Sequence, residues 1–248
     1  MKHFRFTGLL LITALVIFLS SCGGEGNENP SGTDTTINAD TTKTVEAPPA
    51  VNTIVTAHEN MVVVKHKVTD FAKWLVAYEA HDSARLANGL HKYVIGRGFT
   101  DTNMVLVAMK ADDMAKAKAF SKDPSLKTVM QKAGVTGAPT ISFFVNEWQD
   151  TVTIPVRLRS QTTFSVKDWD TWIKVFQEGK QERLDNGITD RVVGHDADDN
   201  KKVSLVTAVS DTAKAFAYYK SDALKKRREA SGVIGEPARF LFNIVKRY

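Results

Sequence analysis

From Met61 to Val68 the chain is rich in valine, with lysine and histidine interleaved, which predicts a strand. Asp70 stands where an N-cap belongs. After it Phe71, Trp74, Leu75 and Tyr78 recur at helical spacing as far as Asn88-Gly89, a C-terminal stop, so one helix is predicted there. His91 to Gly98 and Met104 to Lys110 read as two strands around the polar turn Thr100 to Asn103. Asp112-Asp113 opens a second helix through Phe120, and Asp123-Pro124, an N-cap followed by proline, opens another that stops at Gly134. Thr140 to Val145 is the last strand of the series.

The series then repeats. At an offset of 98 residues, Val68–Phe144 aligns with Val166–Phe242 without a gap. Asp70-Phe71-Ala72-Lys73-Trp74 meets Asp168-Trp169-Asp170-Thr171-Trp172, and Arg85-Leu86-Ala87-Asn88-Gly89 meets Arg183-Leu184-Asp185-Asn186-Gly187. Gly134-Val135-Thr136-Gly137-Ala138-Pro139 meets Gly232-Val233-Ile234-Gly235-Glu236-Pro237. In the second copy Asp168 and Ser221 serve as caps, and Gly187 and Gly232 as stops. Each copy has the order β-α-β-β-α-β with a split second helix, a ferredoxin-like arrangement. Two copies are too few for a solenoid, so the expectation is two equivalent domains, residues 56–149 and 150–248.

Ahead of the repeats lies a segment of different character. Lys2 and Arg5 precede an almost wholly apolar run from Leu9 to Leu19, too short for a stable membrane span, so residues 1–21 read as a secretory signal. Leu19-Ser20-Ser21-Cys22 resembles the bacterial lipobox, and the chain's only cysteine falls at the position that motif requires. The resemblance implies that Cys22 is lipidated and begins the mature protein, placing it at the cell envelope on a bacterial membrane, periplasmic or surface face. The competing reading is an ordinary signal peptide that leaves an exported thiol. Residues 22–55 carry Gly, Asn, Ser, Thr, Asp, Glu and Pro without apolar periodicity and read as a disordered tether. A flexible coil of that length reaches roughly 30 Å.

Composition narrows the chemistry. The 248 residues are 43% hydrophobic and 25% charged, the profile of a globular protein. A single cysteine excludes a disulfide framework, a cysteine-rich zinc site and an iron–sulfur cluster. The net charge of +5 is spread along the chain, and Lys225-Lys226-Arg227-Arg228 reads as a solvated helix face, so no nucleic-acid partner is expected. His58, His91 and His195 lack metal-ligand spacing, and no phosphate loop, dinucleotide fingerprint or nucleophile elbow occurs. No metal and no cofactor are expected.

The half-repeat pattern resembles the dimeric α+β barrel superfamily and, within it, the antibiotic biosynthesis monooxygenase-like domains. The resemblance rests on the Asp-aromatic-x-x-Trp helix start, the Arg-x-x-Asn-Gly end and the Gly-Val-x-Gly-x-Pro run. In that family two subunits usually pack sheet to sheet. The resemblance therefore implies an α+β protein whose two repeats pack sheet to sheet as an intramolecular dimeric α+β barrel, a monomeric pseudo-dimer. It fixes no chemistry, because one fold hosts many activities. The Asn, Trp and His arrangement of some haem-degrading relatives has no matching positions here.

The candidate site comes from helical spacing. Phe71, Trp74, Tyr78, His81 and Arg85 are separated by 3, 4, 3 and 4, which puts all of them on one stripe. The second copy runs Trp169, Trp172, Phe176, Gly179, Arg183. An arginine where a core residue is expected demands a partner. One reading is a pocket at each helix end with Arg85 or Arg183 as a bidentate donor to a small anionic or polar ligand; the other is that each arginine caps helix carbonyls. His81 faces Gly179 across the alignment and His66 faces Phe164, so only the first copy offers imidazoles. The expected function is a lipid-anchored envelope protein with a non-catalytic small-ligand-binding or accessory role. A cofactor-free monooxygenase-like enzyme and a structural partner-binding module are the alternatives. A cavity of ~300 Å³ or more with converging polar groups favours a ligand, and a filled interior favours the structural module.

Overall fold

The computed structural model describes residues 52–248. The signal segment, Cys22 and the tether as far as residue 51 lie outside the described residues. The tether's expected last residues, Ile54–Val55, are instead a short strand, β1, paired with β5 through Ile54 and Asp150.

The first repeat runs β2 (Glu59–Val68), α1 (Phe71–Ala80), α2 (Asp82–Ala87), β3 (Leu90–Gly98), β4 (Met104–Ala111), α3 (Met114–Ser121), α4 (Pro124–Lys132) and β5 (Val135–Asp150). The second runs β6 (Leu158–Val166), α5 (Trp169–Glu178), α6 (Lys180–Asp185), β7 (Ile188–Asp196), β8 (Lys202–Val209), α7 (Thr212–Tyr219), α8 (Asp222–Ala230) and β9 (Val233–Arg247). Side-chain caps start the helices as the sequence expects. Asp70 accepts from the Lys73 N–H at 2.9 Å, Asp168 from Thr171 at 2.8 Å, and Ser221 from Leu224 at 3.2 Å. Asn88-Gly89 and Asn186-Gly187 stop α2 and α6, with φ of +67° and +69° at the glycines.

The strands form one antiparallel ring. The order β5-β2-β4-β3-β9-β6-β8-β7 closes on itself because β7 returns to β5. Two pairings join the repeats: β3 with β9 and β5 with β7. Each ring strand thus has neighbours on both sides, and among the described residues no long edge is left to solvent. The helices lie outside, and the strands of the two repeats turn their inner faces toward each other across the barrel interior. Alternate residues of β2 show both layers. Met61 and Val63 point inward with Leu106, Phe144 and Phe242, whereas Val62 and Val68 pack outward against Trp74 and Ala117. The architecture is α+β: two ferredoxin-like repeats in an intramolecular dimeric α+β barrel.

At each seam a glycine permits the close approach. A Cβ built on Gly96 would lie 2.2 Å from Cδ2 of Phe242, and one on Gly194, the same position in the other repeat, 2.3 Å from the carbonyl oxygen of Val145.

Two element expectations need correction. The first helix of each repeat is also broken, at His81 (φ −92°, ψ 18°) and Gly179 (φ −81°, ψ 7°). The 3-4 helical spacing continues through the break to Arg85 and Arg183, so the spacing alone could not reveal it. The last strand starts at Val135 rather than Thr140 and runs 16 residues. It must serve two partners, pairing first with β2 and then, from Phe144, with β7.

Candidate ligand cavity

Between the first repeat's sheet and its helices lies a cavity of about 90 Å³. His66 reaches it from β2, Trp74 and Tyr78 from α1, His81 from the helix break and Arg85 from α2. The remaining wall is mainly apolar, with Met109, Phe120, Met130 and Ile141. The structure therefore brings His66, His81 and Arg85 together in one place. Arg183 lines the corresponding cavity of the second repeat.

The polar groups here are sparsely partnered. Both ring nitrogens of His66, the Tyr78 hydroxyl and Arg85 Nε are buried without a hydrogen-bond partner among the described residues. The His66 ring packs 5.4 Å from Trp74, and Trp74 stacks on Tyr78 at 5.1 Å. Burial pushes His66 down to about 4, so its imidazole is neutral at physiological pH. Burial pushes the Tyr78 phenol up to about 12, against the pull of the Arg85 charge. Helical spacing places Tyr78 on the stripe but says nothing of its hydroxyl, which stands out only against Phe176, its counterpart in the second repeat.

Arg85 is 5% exposed. Its Nη2 donates to the Tyr78 carbonyl at 2.7 Å and to Asp82 Oδ1 at 3.1 Å, and the guanidinium lies 3.9 Å over the Tyr78 ring. It thus gives a second donor to the Tyr78 carbonyl, which already accepts from the His81 N–H at 3.3 Å, while its Nε is buried without a partner among the described residues. Arg183 also caps, donating to the Phe176 carbonyl at 2.7 Å, but it is held further by Asp190 through Nε at 2.8 Å and Nη2 at 2.6 Å. The strand position of Asp190 is occupied by Lys92 in the first repeat, which pairs with Glu79 and Asp82. One arginine is therefore saturated by its own protein and the other keeps a donor in reserve.

His58 and His195 meet elsewhere, on the two oxygens of Glu147 at 2.7 and 3.0 Å. Among the described residues, no group of three or more His, Cys, Asp or Glu is arranged to hold a metal ion.

No family model matches the chain, and none of the curated proteins matches it. Solved structures do. A putative monooxygenase from Fusobacterium nucleatum superposes with a TM-score of 0.51 at 12% identity, over 77% of this chain and 94% of its own. A putative chlorite dismutase gives 0.50 at 16% identity, over 77% and 96%. An anthrone oxidase-like protein gives 0.50 at 14% identity, over 79% and 95%. Coverage above three quarters exceeds what one repeat supplies, so the match runs across both halves. At these identities the likeness is one of fold, the dimeric α+β barrel.

Proposed function

We propose that the protein is a lipid-anchored binding protein of the cell envelope that holds a compact, largely apolar ligand in the first-repeat cavity and performs no chemistry on it. The observation that carries this reading is the convergence of four partnerless buried polar atoms, from His66, Tyr78 and Arg85, on one apolar cavity. Buried polar groups ordinarily have partners, and a ligand carrying a donor and an acceptor would supply them. The volume limits the ligand. About 90 Å³ falls short of the ~300 Å³ expected of a ligand cavity, so the partnerless polar atoms and not the volume carry the reading, and an occupant of this size is a small molecule or one end of a longer one. The anchor rests on Leu19-Ser20-Ser21-Cys22.

A monooxygenase reading, as the Fusobacterium nucleatum structure is described, would call for a base that works near neutral pH. The imidazole buried in this cavity is depressed to about 4, which favours binding over catalysis.

Native mass spectrometry of the full chain purified from its own host tests both halves of the proposal. The expected result is a fatty-acylated Cys22 and a retained small molecule. The double variant His66→Phe/Tyr78→Phe, which copies the second repeat's Phe164 and Phe176, is expected to fold and to lose that molecule. Retention of the molecule by the variant would refute the cavity assignment.

A further inference from the structure

The interior of the barrel differs between its two walls. On the first repeat's side Met61, Val63 and Leu106 face inward; the matching positions of the second are Arg159, Gln161 and Ser204. A separate cavity of about 100 Å³ lies between these walls. Arg159 is 2% exposed. Its Nη1 donates to the carbonyls of Val156 at 2.7 Å and Leu158 at 3.1 Å, while Nη2 has no partner among the described residues. Gln161, 4% exposed, has a partnerless Oε1, and its amide can present either end. Arg191 enters the same cavity from the extra residue of a β-bulge in β7, a device that re-aims a side chain. Arg247, exposed at the end of β9, stands at the rim.

Charge in this cavity is unbalanced. Three guanidiniums line it with one carboxylate, Asp150, which already holds Arg191 at 3.0 Å and accepts from the Thr53 hydroxyl at 2.8 Å. Arg159 thus lies buried with no counter-charge in contact among the described residues. Burial first, and then the charges of Arg191 and Arg247, pull it down to about 10. A stranded guanidinium is costly, and a fork of N–H donors is the group that recognises an oxyanion. Opposite it the wall is apolar, formed by Met61, Val63, Leu106 and Phe144.

We propose that the barrel interior is a second binding site, specific for a small carboxylate with a short apolar tail: the carboxylate meets Arg159 and Gln161, and the tail lies against Met61, Val63 and Phe144. This site is independent of the first-repeat cavity, which lies on the other face of the sheet.

The test compares butyrate, inorganic phosphate and chloride at matched ionic strength on the full-length protein, by thermal shift and calorimetric titration. Butyrate is expected to stabilise saturably and more than phosphate. Arg159→Met, which copies Met61, is expected to weaken butyrate binding at least about tenfold and to raise the melting temperature in chloride, since it removes a buried unpaired charge. His66→Phe is expected to leave butyrate binding unchanged. If Arg159→Met does not fold, Arg247→Gln at the rim is expected to lower butyrate affinity in a folded protein. A butyrate response no larger than that of phosphate, an unchanged response in the folded Arg159 or Arg247 variant, or no saturable response at all would overturn the proposal.

Discussion

Arg183 and Asp190 clasp each other through two parallel hydrogen bonds, 2.8 and 2.6 Å, with both side chains under a tenth exposed. Arg85, the same residue one repeat earlier, has no strand carboxylate to match. Removing one member of a buried ion pair strands the other, at a cost of about 3–5 kcal/mol. Arg183→Met is therefore expected to destabilise the protein by about 3 kcal/mol, because Asp190 is left in the core. Arg85→Met removes a carbonyl cap and one weaker contact and is expected to cost about 1–2 kcal/mol. Urea unfolding of the two variants measures the order, and equal losses would contradict the asymmetry between the repeats.

His66 links stability to pH. Its folded value near 4 lies below the ordinary 6.5, so between those values the unfolded chain binds the extra proton. Stability from this group is complete above about pH 6.5 and declines as pH falls toward 4. His66→Phe removes the titration and puts a ring where Phe164 already shows one fits. The variant is expected to gain about 2 kcal/mol over the wild type at pH 5 and to differ less at pH 7.5, where His66 is neutral in the folded and the unfolded wild-type chain alike. Denaturation curves at the two pH values check this; a difference that does not grow toward acid pH would refute the assignment.

The seam glycines predict a second ordering. At Gly194 an added methyl meets only backbone, Val145 O at 2.3 Å and Asn146 Cα at 3.0 Å, so relief requires β5 and β7 to separate. At Gly96 it meets the Phe242 ring, a side chain that can turn at the expense of core packing. Gly194→Ala is expected to cost about 3 kcal/mol and Gly96→Ala less, as overpacking does when the neighbour can shift. Melting temperatures of the pair decide it, the reverse order being the contrary result.

Much of the fold was legible because its markers are residues with few substitutes. Asp70 and Asp168 as caps, Gly89 and Gly187 as stops, and Trp74 and Trp172 as anchors hold register across the duplication. The ring closure was not legible in detail. Pairing of β3 with β9 and of β5 with β7 joins residues far apart in sequence, and a local pattern carries no register for such partners. The helix break hid behind the unbroken helical spacing, although Gly179 opposite His81 was a sign of it. At the candidate cavity, spacing brought out His81 and Arg85 and the repeat comparison brought out His66. The barrel-facing Arg159 went unremarked because β6 is polar on both faces, Arg159 and Gln161 on one and Ser160 and Thr162 on the other, which blurs the period of two. Placing Arg159 against Met61 in the alignment exposes it.

Joining the halves in one polypeptide has an evolutionary corollary at the barrel's centre. In a dimer of identical subunits, whatever residue lines one wall must line the other, so an arginine admitted once is admitted twice and faces its own image. Here methionine at position 61 and arginine at 159 are encoded separately. One wall has been free to turn basic while its twin stayed oily, a lopsided chamber that no symmetric pair could build.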